Sequence, residues 1–296
     1  LVICVPNCSE GNRESIIQAL AASIRLHASL LDIHSDPHYN RSVFTFIGTE
    51  QSLLEAATSL IGASLQLIDI NLHQGLHPRM GATDIVPFVP LEDEEVDIWI
   101  NAAKKLAHII WQEFSIPVYF YGHPALSKRR TVSDIRGKGY EDLKHRIMLQ
   151  EWHPDVGEPR LHPTFGAIAV GVRPPLIAYN MVLQNVTLQQ ARQIARSIRE
   201  SSGGIPGIQA MALEVAGSIQ ISTNILDYKK CGPGLLTSIV RKLAQELGGD
   251  LDHAELVGLI PEHASKDVHL DPAASLAVEG KILEQRISEK QKEAIS

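Results

Sequence analysis

Between Asn71 and Asp84 the chain reads NLHQGLHPRMGATD, which gathers two histidines, an arginine, an aspartate, two glycines and a proline. Pro78 biases His77 out of the helical region into extended geometry. Gly75 and Gly81 permit backbone paths that other residues resist. A polar loop in a fixed path that displays imidazole and guanidinium groups suits proton transfer beside an anionic ligand.

Three further polar clusters follow strand-like runs, where α/β proteins often place ligands. In PNCSEG (Pro6–Gly11), Asn7 offers an amide contact and Ser9 can cap the coming helix. The helix start would then be an anion site, or the segment is simply a strand-to-helix turn. In DIHSDPHYNR (Asp32–Arg41), His34, Asp36, His38 and Arg41 could converge, with Arg41 as a clamp for a carboxylate. The same residues also suit a hairpin connection with solvated charges. VGEPRLHPTFG (Val156–Gly166) carries Arg160 and His162 and is either a linker or a wall of a cleft. A metal site would need His73 and His77 with a third ligand such as His34. Gly75 and Pro78 disfavour a helical His-x-x-x-His pair, so no metal is expected.

Composition narrows the class. The chain has 296 residues, enough for two domains, and is 44% hydrophobic and 21% charged. A net charge of -7 and only 5% aromatic residues speak against a nucleic-acid protein. Cys4, Cys8 and Cys231 form neither a disulfide framework nor a zinc knuckle, which points to a reducing, cytoplasmic setting. No apolar run reaches the length of a membrane span, so no membrane partner is expected. The N-terminus reads as a strand, because no basic region precedes it as in a signal peptide. The chain opens on Leu1, not Met, so a removed leading segment is compatible with the sequence.

The elements that must position these groups follow from periodicity. Strands are expected over 1–6, 29–34, 42–48, 85–89, 116–121 and 167–172, and helices over 12–25, 51–67 and 92–113. The acidic start of the third helix, EDEEVD, complements its dipole. Residues 122–158 are mixed and polar, with a basic patch at Lys128, Arg129, Arg130, Arg136 and Lys138. Arg173-Pro174-Pro175 marks a boundary, giving domains 1–174 and 175–296. The second half repeats strand, helix, strand, strand, helix over 176–183, 187–200, 208–215, 218–226 and 234–247, then a strand over 254–261. The tail reads as a terminal helix or a frayed end. The expected class is α+β: two subdomains, each a mixed β-sheet with helices packed on one face, built from split βαβ units.

Taken together, PNCSEG, DPHYNRSVFTF, LIDINLHQGLHPRMGATDIVPFVPL, IPVYFYG, HPTFGAIAVGVRPPLIAYN and QISTNILD resemble the formiminotransferase domain of the glutamate formimidoyltransferase family. The resemblance runs from Leu1 to about Pro261, and HPRMGATD is its most specific stretch. It implies two α/β subdomains with a folate in a tunnel between them, and no cyclodeaminase half. The activity implied is transfer of a formimidoyl group between N-formimidoyl-L-glutamate and tetrahydrofolate, in one-carbon metabolism and histidine degradation. Tetrahydrofolate is then a co-substrate, no metal is used, and a homodimer is expected. The family's catalytic histidine corresponds to His77, with Asp36 or His34 to orient its ring or share the proton. Its folate-binding loop corresponds to Gly157, Glu158, Pro159, Arg160, Leu161, His162, Pro163, Thr164, Phe165 and Gly166.

Two departures stand out: Cys8 where an aromatic is usual, and His34 where the animal form has an acidic residue. Asn7, Arg41 and Arg79 suit the amide and carboxylate contacts of the substrates. Lys128, Arg129 and Arg130 could hold a polyglutamate tail or form a solvated basic face. Alternatives are a relative acting on 5-formyltetrahydrofolate, a folate-binding protein without catalysis, and a metal-dependent hydrolase using His34, His73 and His77.

Overall fold

Helices form where apolar residues recur every three to four positions. α1 (Glu14–Arg25) buries Ile17, Leu20, Ala21 and Ile24. α2 (Glu50–Leu67) buries Leu53, Leu54, Ala57, Leu60 and Ile61, and its N-cap Thr49 accepts the Ser52 N–H at 3.2 Å. α3 (Val96–Phe114) buries Trp99, Ala102, Ala103, Leu106 and Ile110. In this computed structural model residues 1–91, 96–125 and 131–293 are described, so the EDEEVD start up to Glu95 lies outside them, as do Lys128, Arg129 and Arg130.

The chain divides into two compact units, Leu1–Pro174 and Pro175–Ser296. In the first, β1 (Val2–Cys4) and β2 (Asn7–Cys8) are two halves of one path, interrupted at Pro6, which has no N–H for a ladder. Pairing continues across the break: Val5 N–H donates to the Pro87 carbonyl at 3.1 Å, and the Pro6 carbonyl accepts Phe44 N–H at 3.0 Å. β3 (Ser29–Asp36), β4 (Arg41–Ile47), β5 (Thr83–Pro90), β6 (Val118–Gly122) and β7 (Ile168–Val172) complete the sheet. Across it the order is β3, β4, the β1–β2 path, β5, β7, β6. The ladders from β3 to β5 are antiparallel, and those joining β5, β7 and β6 are parallel. α1, α2 and α3 share one hydrophobic core with this sheet, centred on Leu20, Phe44, Phe46, Leu60, Phe88 and Leu106. The polar stretch after β6 holds two short helices, α4 (Val132–Arg136) and α5 (Tyr140–Arg146).

The second unit contains β8 (Ile177–Gln184), α6 (Leu188–Ile198), β9 (Ile208–Val215), β10 (Ser218–Ile225), α7 (Pro233–Glu246) and β11 (Asp250–Val257). The expected α+β class therefore stands, and both units run strand, helix, strand, strand, helix, strand. In the second unit, however, every ladder is antiparallel, in the order β9, β10, β8, β11. The reason is geometric. In both split βαβ units here the strand lying between the two that a helix connects, β10 for α6 and β8 for α7, runs antiparallel to each of them.

The last strand begins at Asp250, not Ala254, and ends at Val257. A bulge between Leu251 and His253 inserts an extra residue. Leu251 and Leu256 are an odd number of positions apart, yet both are buried, and that breaks the alternation expected of a strand. The tail forms α8 (Pro272–Val278) and α9 (Leu283–Glu293), whose Ala273, Ala277, Val278, Leu283 and Ile287 are buried. Among the described residues no helix is long and apolar enough to cross a membrane.

Gly81 matters by proximity, not by φ freedom. A Cβ there would collide with the backbone carbonyl of Ala167, where the chain before β5 runs against the chain before β7. Gly81→Ala is therefore expected to lower unfolding free energy by about 1–3 kcal/mol, as overpacking does. A urea-denaturation midpoint equal to that of the parent chain would contradict this.

Candidate functional site

The sheet of the first unit brings three strand ends to one place. Cys8 at the tip of β2 pairs with Ser42 of β4 on one side and Thr83 of β5 on the other. Asn7, Arg41 and Asp84 flank that row. Over it runs the segment between α2 and β5, tied down by Ile70 and Met80, both fully buried. Its backbone is pinned by Ile70 N–H to the Thr164 carbonyl (2.8 Å) and Ala82 N–H to the Phe165 carbonyl (2.9 Å). Gly75 allows close approach to the hairpin, since a Cβ there would strike the Tyr39 carbonyl.

Together these segments line a cavity of about 190 Å³ that opens to solvent, walled by Cys8, Ser9, Tyr39, Asn40, Arg41, His73, His77, Arg79 and Asp84. Part of that space is open solvent, and the enclosed part is too small for a whole drug-sized ligand.

Arg41 sits at its centre. One terminal nitrogen donates to Asn7 Oδ1 and the other to His77 Nε2, while Nε has no hydrogen-bond partner among the described residues. Burial pushes this guanidinium down to about 9, with Arg136 adding to the fall and Asp84 opposing it. A guanidinium donates only, so His77 must accept at Nε2. Its Nδ1–H then donates to the Pro78 carbonyl at 2.7 Å. Burial, then the Arg41 and Arg136 charges, hold His77 well below the ordinary imidazole range. His77 is thus a neutral ring with a defined tautomer, its edge toward Tyr39.

His73 is 8% exposed, and both of its nitrogens are engaged. Nε2–H donates to the Asn40 carbonyl at 2.8 Å, and Nδ1 accepts Arg79 Nε–H at 3.1 Å. Burial lowers its pKa too. Arg79 directs its terminal nitrogens to Glu141, at 2.8 and 2.9 Å, within the same unit. That contact holds the Glu141 carboxyl below its usual range. Arg79 therefore already has a carboxylate partner, whereas Arg41 has none among its hydrogen bonds to Asn7 and His77.

The other expected site residues are placed as follows. Asp36 closes the β3–β4 turn, its Oδ1 accepting the N–H groups of His38 (2.7 Å) and Tyr39 (3.0 Å). His34 lies on β3 opposite Val43 and is not among the cavity walls. Ser9 does not cap α1; its hydroxyl donates to the Gly81 carbonyl at 2.8 Å. Glu10 accepts the N–H groups of Asn12 and Arg13 instead, because it stands closer to the helix start.

The Gly157–Gly166 loop does not line the cavity. It runs beside the cavity's roof, where Asn71 Nδ2 donates to the Pro163 carbonyl at 2.8 Å. Phe165 is fully buried, and the His162 ring accepts the Phe165 N–H at 3.2 Å. Glu158 and Arg160 form an exposed ion pair at 2.8 Å. Among the described residues no three His, Cys, Asp or Glu side chains are grouped to hold a metal.

Sequence reasoning misses Asn40, Tyr39 and the structural use of Asp84. The Asp84 carboxylate accepts Met80 N–H at 2.8 Å and is paired with Arg136, which in the sequence looks like part of a solvated basic patch. Asn40 has φ +49, a left-handed position that Asn tolerates better than most residues. An Asn three residues after Pro37 in a tight turn is the available signal. Cys8 is buried against Thr83 and burial pushes its thiol up to about 12, so it offers no nucleophile.

A cavity holding an oriented imidazole beside a buried guanidinium, in a two-unit α+β protein, is an arrangement able to exchange a proton and to hold an anion. Comparison with known proteins gives the family. Residues 1–173 match the formiminotransferase domain, N-terminal subdomain, and residues 178–287 match the formiminotransferase domain. The chain is similar to a glutamate formimidoyltransferase of Streptococcus pyogenes serotype M1, 36% identical over 90% of this chain and 91% of that one. A glutamate formimidoyltransferase of Thermoplasma acidophilum is 37% identical over 90% of each. The rat formimidoyltransferase-cyclodeaminase is 38% identical over 90% of this chain and 51% of its own length. The chain belongs to the formiminotransferase family.

The site's electrostatics carry a pH consequence. Both His73 and His77 have folded pKa values below 6.5, while in the unfolded chain each returns to about 6.5. The unfolded state then binds protons first on acidification, so their stabilising contribution is whole above pH ~6.5 and drains away as pH falls below it. Histidine NMR titration is expected to place both midpoints below 6.5, and the urea midpoint is expected to drop between about pH 7.5 and 5.5. Either ring titrating above 6.5 would refute the account of its burial.

Proposed function

We propose that the protein is a glutamate formimidoyltransferase, moving a formimidoyl group between N-formimidoyl-L-glutamate and tetrahydrofolate with His77 as general acid and base. The observation that carries the reading is the neutral His77 ring, oriented by Arg41 and Pro78 inside a cavity of a formiminotransferase-family chain.

The chemistry fits these groups. One C–N bond forms from N5 of tetrahydrofolate to the formimidoyl carbon, and one breaks from that carbon to the glutamate nitrogen. His77 takes the N5 proton at Nε2, the lone pair that Arg41 releases when it turns to the substrate carboxylate, as the first bond forms, and returns it to the departing amine as the second breaks. A base kept unprotonated near neutrality is ready for the first transfer, and its imidazolium supplies the second. The Arg41 guanidinium, which lines the cavity and has no carboxylate among its hydrogen-bond partners, supplies the cation for a substrate carboxylate. Asn7 holds Arg41 in place through its side-chain oxygen. The Gly157–Gly166 loop is assigned to the folate, supported by its anchorage along the roof of the cavity. Asp36 keeps the hairpin that carries Arg41 and acts on His77 only through it. Three buried, unpaired cysteines accord with a cytoplasmic place in one-carbon metabolism and histidine degradation.

In a spectrophotometric assay with tetrahydrofolate and N-formimidoyl-L-glutamate, the parent chain is expected to turn over. His77→Ala is expected to lose about two to four orders of magnitude in rate, the usual yield of general acid–base catalysis. Folate affinity in that variant should stay within a few-fold. Near-normal turnover by His77→Ala would sink the role of His77. Tight folate binding with no transfer by the parent chain would favour a binding protein.

A further inference from the structure

His73 lines the same cavity as His77 yet has no part in the proton transfer described above. Its two ring nitrogens are both engaged, one with an acceptor and one with a donor, and each partner belongs to a different segment. Toward the hairpin, Nε2–H meets the carbonyl of Asn40, the residue immediately before Arg41. Toward its own segment, Nδ1 receives Arg79 Nε–H, and the His73 carbonyl receives a terminal nitrogen of Arg79 at 3.2 Å. Asn40 is held from its other side too: Oδ1 accepts Gly11 N–H at 2.9 Å, and Nδ2 donates to the Gln74 carbonyl at 2.8 Å. These contacts set the backbone just before Arg41 through Asn40, and the ring of His73 joins Asn40 to Arg79.

The geometry points to His73 as a positioning residue: by bridging the Asn40 carbonyl and the Arg79 guanidinium, it holds Arg41 on His77 Nε2 and so sets the tautomer of the base. This inference rests on the reading of His77 as the proton carrier. Both ring nitrogens of His73 are taken up by fixed partners on two segments, whereas Nε2 of His77 is held only by Arg41, the group that a substrate carboxylate would draw away. The bridge needs one donor and one acceptor in a side chain of about this reach. A glutamine carboxamide has both and cannot exchange a proton near neutrality, whereas leucine has neither.

The test uses the full chain with His73→Gln and His73→Leu, each checked for folding by circular dichroism. For His73→Leu, kcat for formimidoyl transfer is expected to fall about 10- to 100-fold, the scale of a misplacement near 1 Å. KM for N-formimidoyl-L-glutamate should rise several-fold as Arg41 loosens. His73→Gln should stay within about threefold of the parent in both, since the bridge survives.

An independent readout needs no turnover. Nitrogen-15 NMR of His77 should show a protonated Nδ1 and a bare Nε2 in the parent chain and in His73→Gln. In His73→Leu it should show the mixed tautomers of a free imidazole. His73→Gln as impaired as His73→Leu, with both folded, would overturn the inference in favour of proton transfer by His73. An unchanged His77 spectrum in His73→Leu would overturn it as well. Should His73→Leu fail to fold, the His77 spectrum of His73→Gln decides: the parent pattern supports the bridge and a free-imidazole pattern refutes it. If the parent chain shows no transfer at all, the functional reading fails while the spectra still judge the bridge.

Discussion

A guanidinium can donate hydrogen bonds and cannot accept them, and at Arg41 that asymmetry governs the whole site. Asn7 answers it with an amide oxygen and His77 with a ring lone pair. The lone pair must face Arg41, so the imidazole proton goes to Nδ1, where the Pro78 carbonyl lies ready to accept it. Charge and tautomer of the ring are thereby set together. A second cation on His77 would face Arg41 directly, so burial and Coulomb repulsion both keep the ring neutral. A chain with net charge -7 thus still carries positive charge in this cavity, concentrated where water is scarce.

The labour is divided between sheet and loop. Antiparallel pairing of β2, β4 and β5 places Asn7, Arg41 and Asp84 around one cross-strand row, and strand register leaves them little freedom. The imidazoles sit on the segment before β5, which has no regular hydrogen-bond ladder of its own. Its order comes from buried anchors: Ile70 and Met80 in the core, and the Met80 N–H on Asp84. Asp84 is itself buried and would be a liability unpaired; Arg136 of α4 and the backbone N–H satisfy it. A short helix far along the sequence thereby stabilises the loop that carries His77.

Much of this is legible in the sequence, and the exceptions share a cause. The apolar period of Ile17, Leu20 and Ile24, or of Leu53, Ala57, Leu60 and Ile61, marks a helix because a helix buries one stripe and nothing else about it needs to be known. HPRMGATD stands out because polar groups without periodicity have no packing reason to cluster. What the sequence hides are pairings between distant segments. Arg79 looks free for a ligand, and its partner Glu141 lies on α5. Arg136 looks solvated, and its partner Asp84 is buried beneath it. Asp36 looks like a partner for His77, and its Oδ1 is taken up in the turn by the His38 and Tyr39 N–H groups. Charged side chains advertise their capacity but not their commitments, which only tertiary structure assigns. The bulge in β11 hides for a related reason: one inserted residue inverts the alternation on which strand reading depends.

The two units differ in where their polar side chains gather. Both use the same strand order, with the first strand central and the second at an edge. Their helices bury similar stripes of Ile, Leu and Ala. The difference is in the connections. In the second unit β9 and β10 join through Ala216 and Gly217 alone, both at positive φ, as a two-residue hairpin turn requires. There α7 reaches β11 through Leu247, Gly248 and Gly249. In the first unit the matching hairpin is longer, from Pro37 to Asn40, and delivers Arg41. The matching helix-to-strand connection runs from Ile68 to Ala82 and carries His73, His77 and Arg79. A connection held to three residues has no room for a side chain that faces inward from a loop. The longer one can fold back over the sheet if something buried anchors it. A shared framework thus gathers Arg41, His73, His77 and Arg79 in the first unit through two extended connections, and the strand order alone does not bring them together.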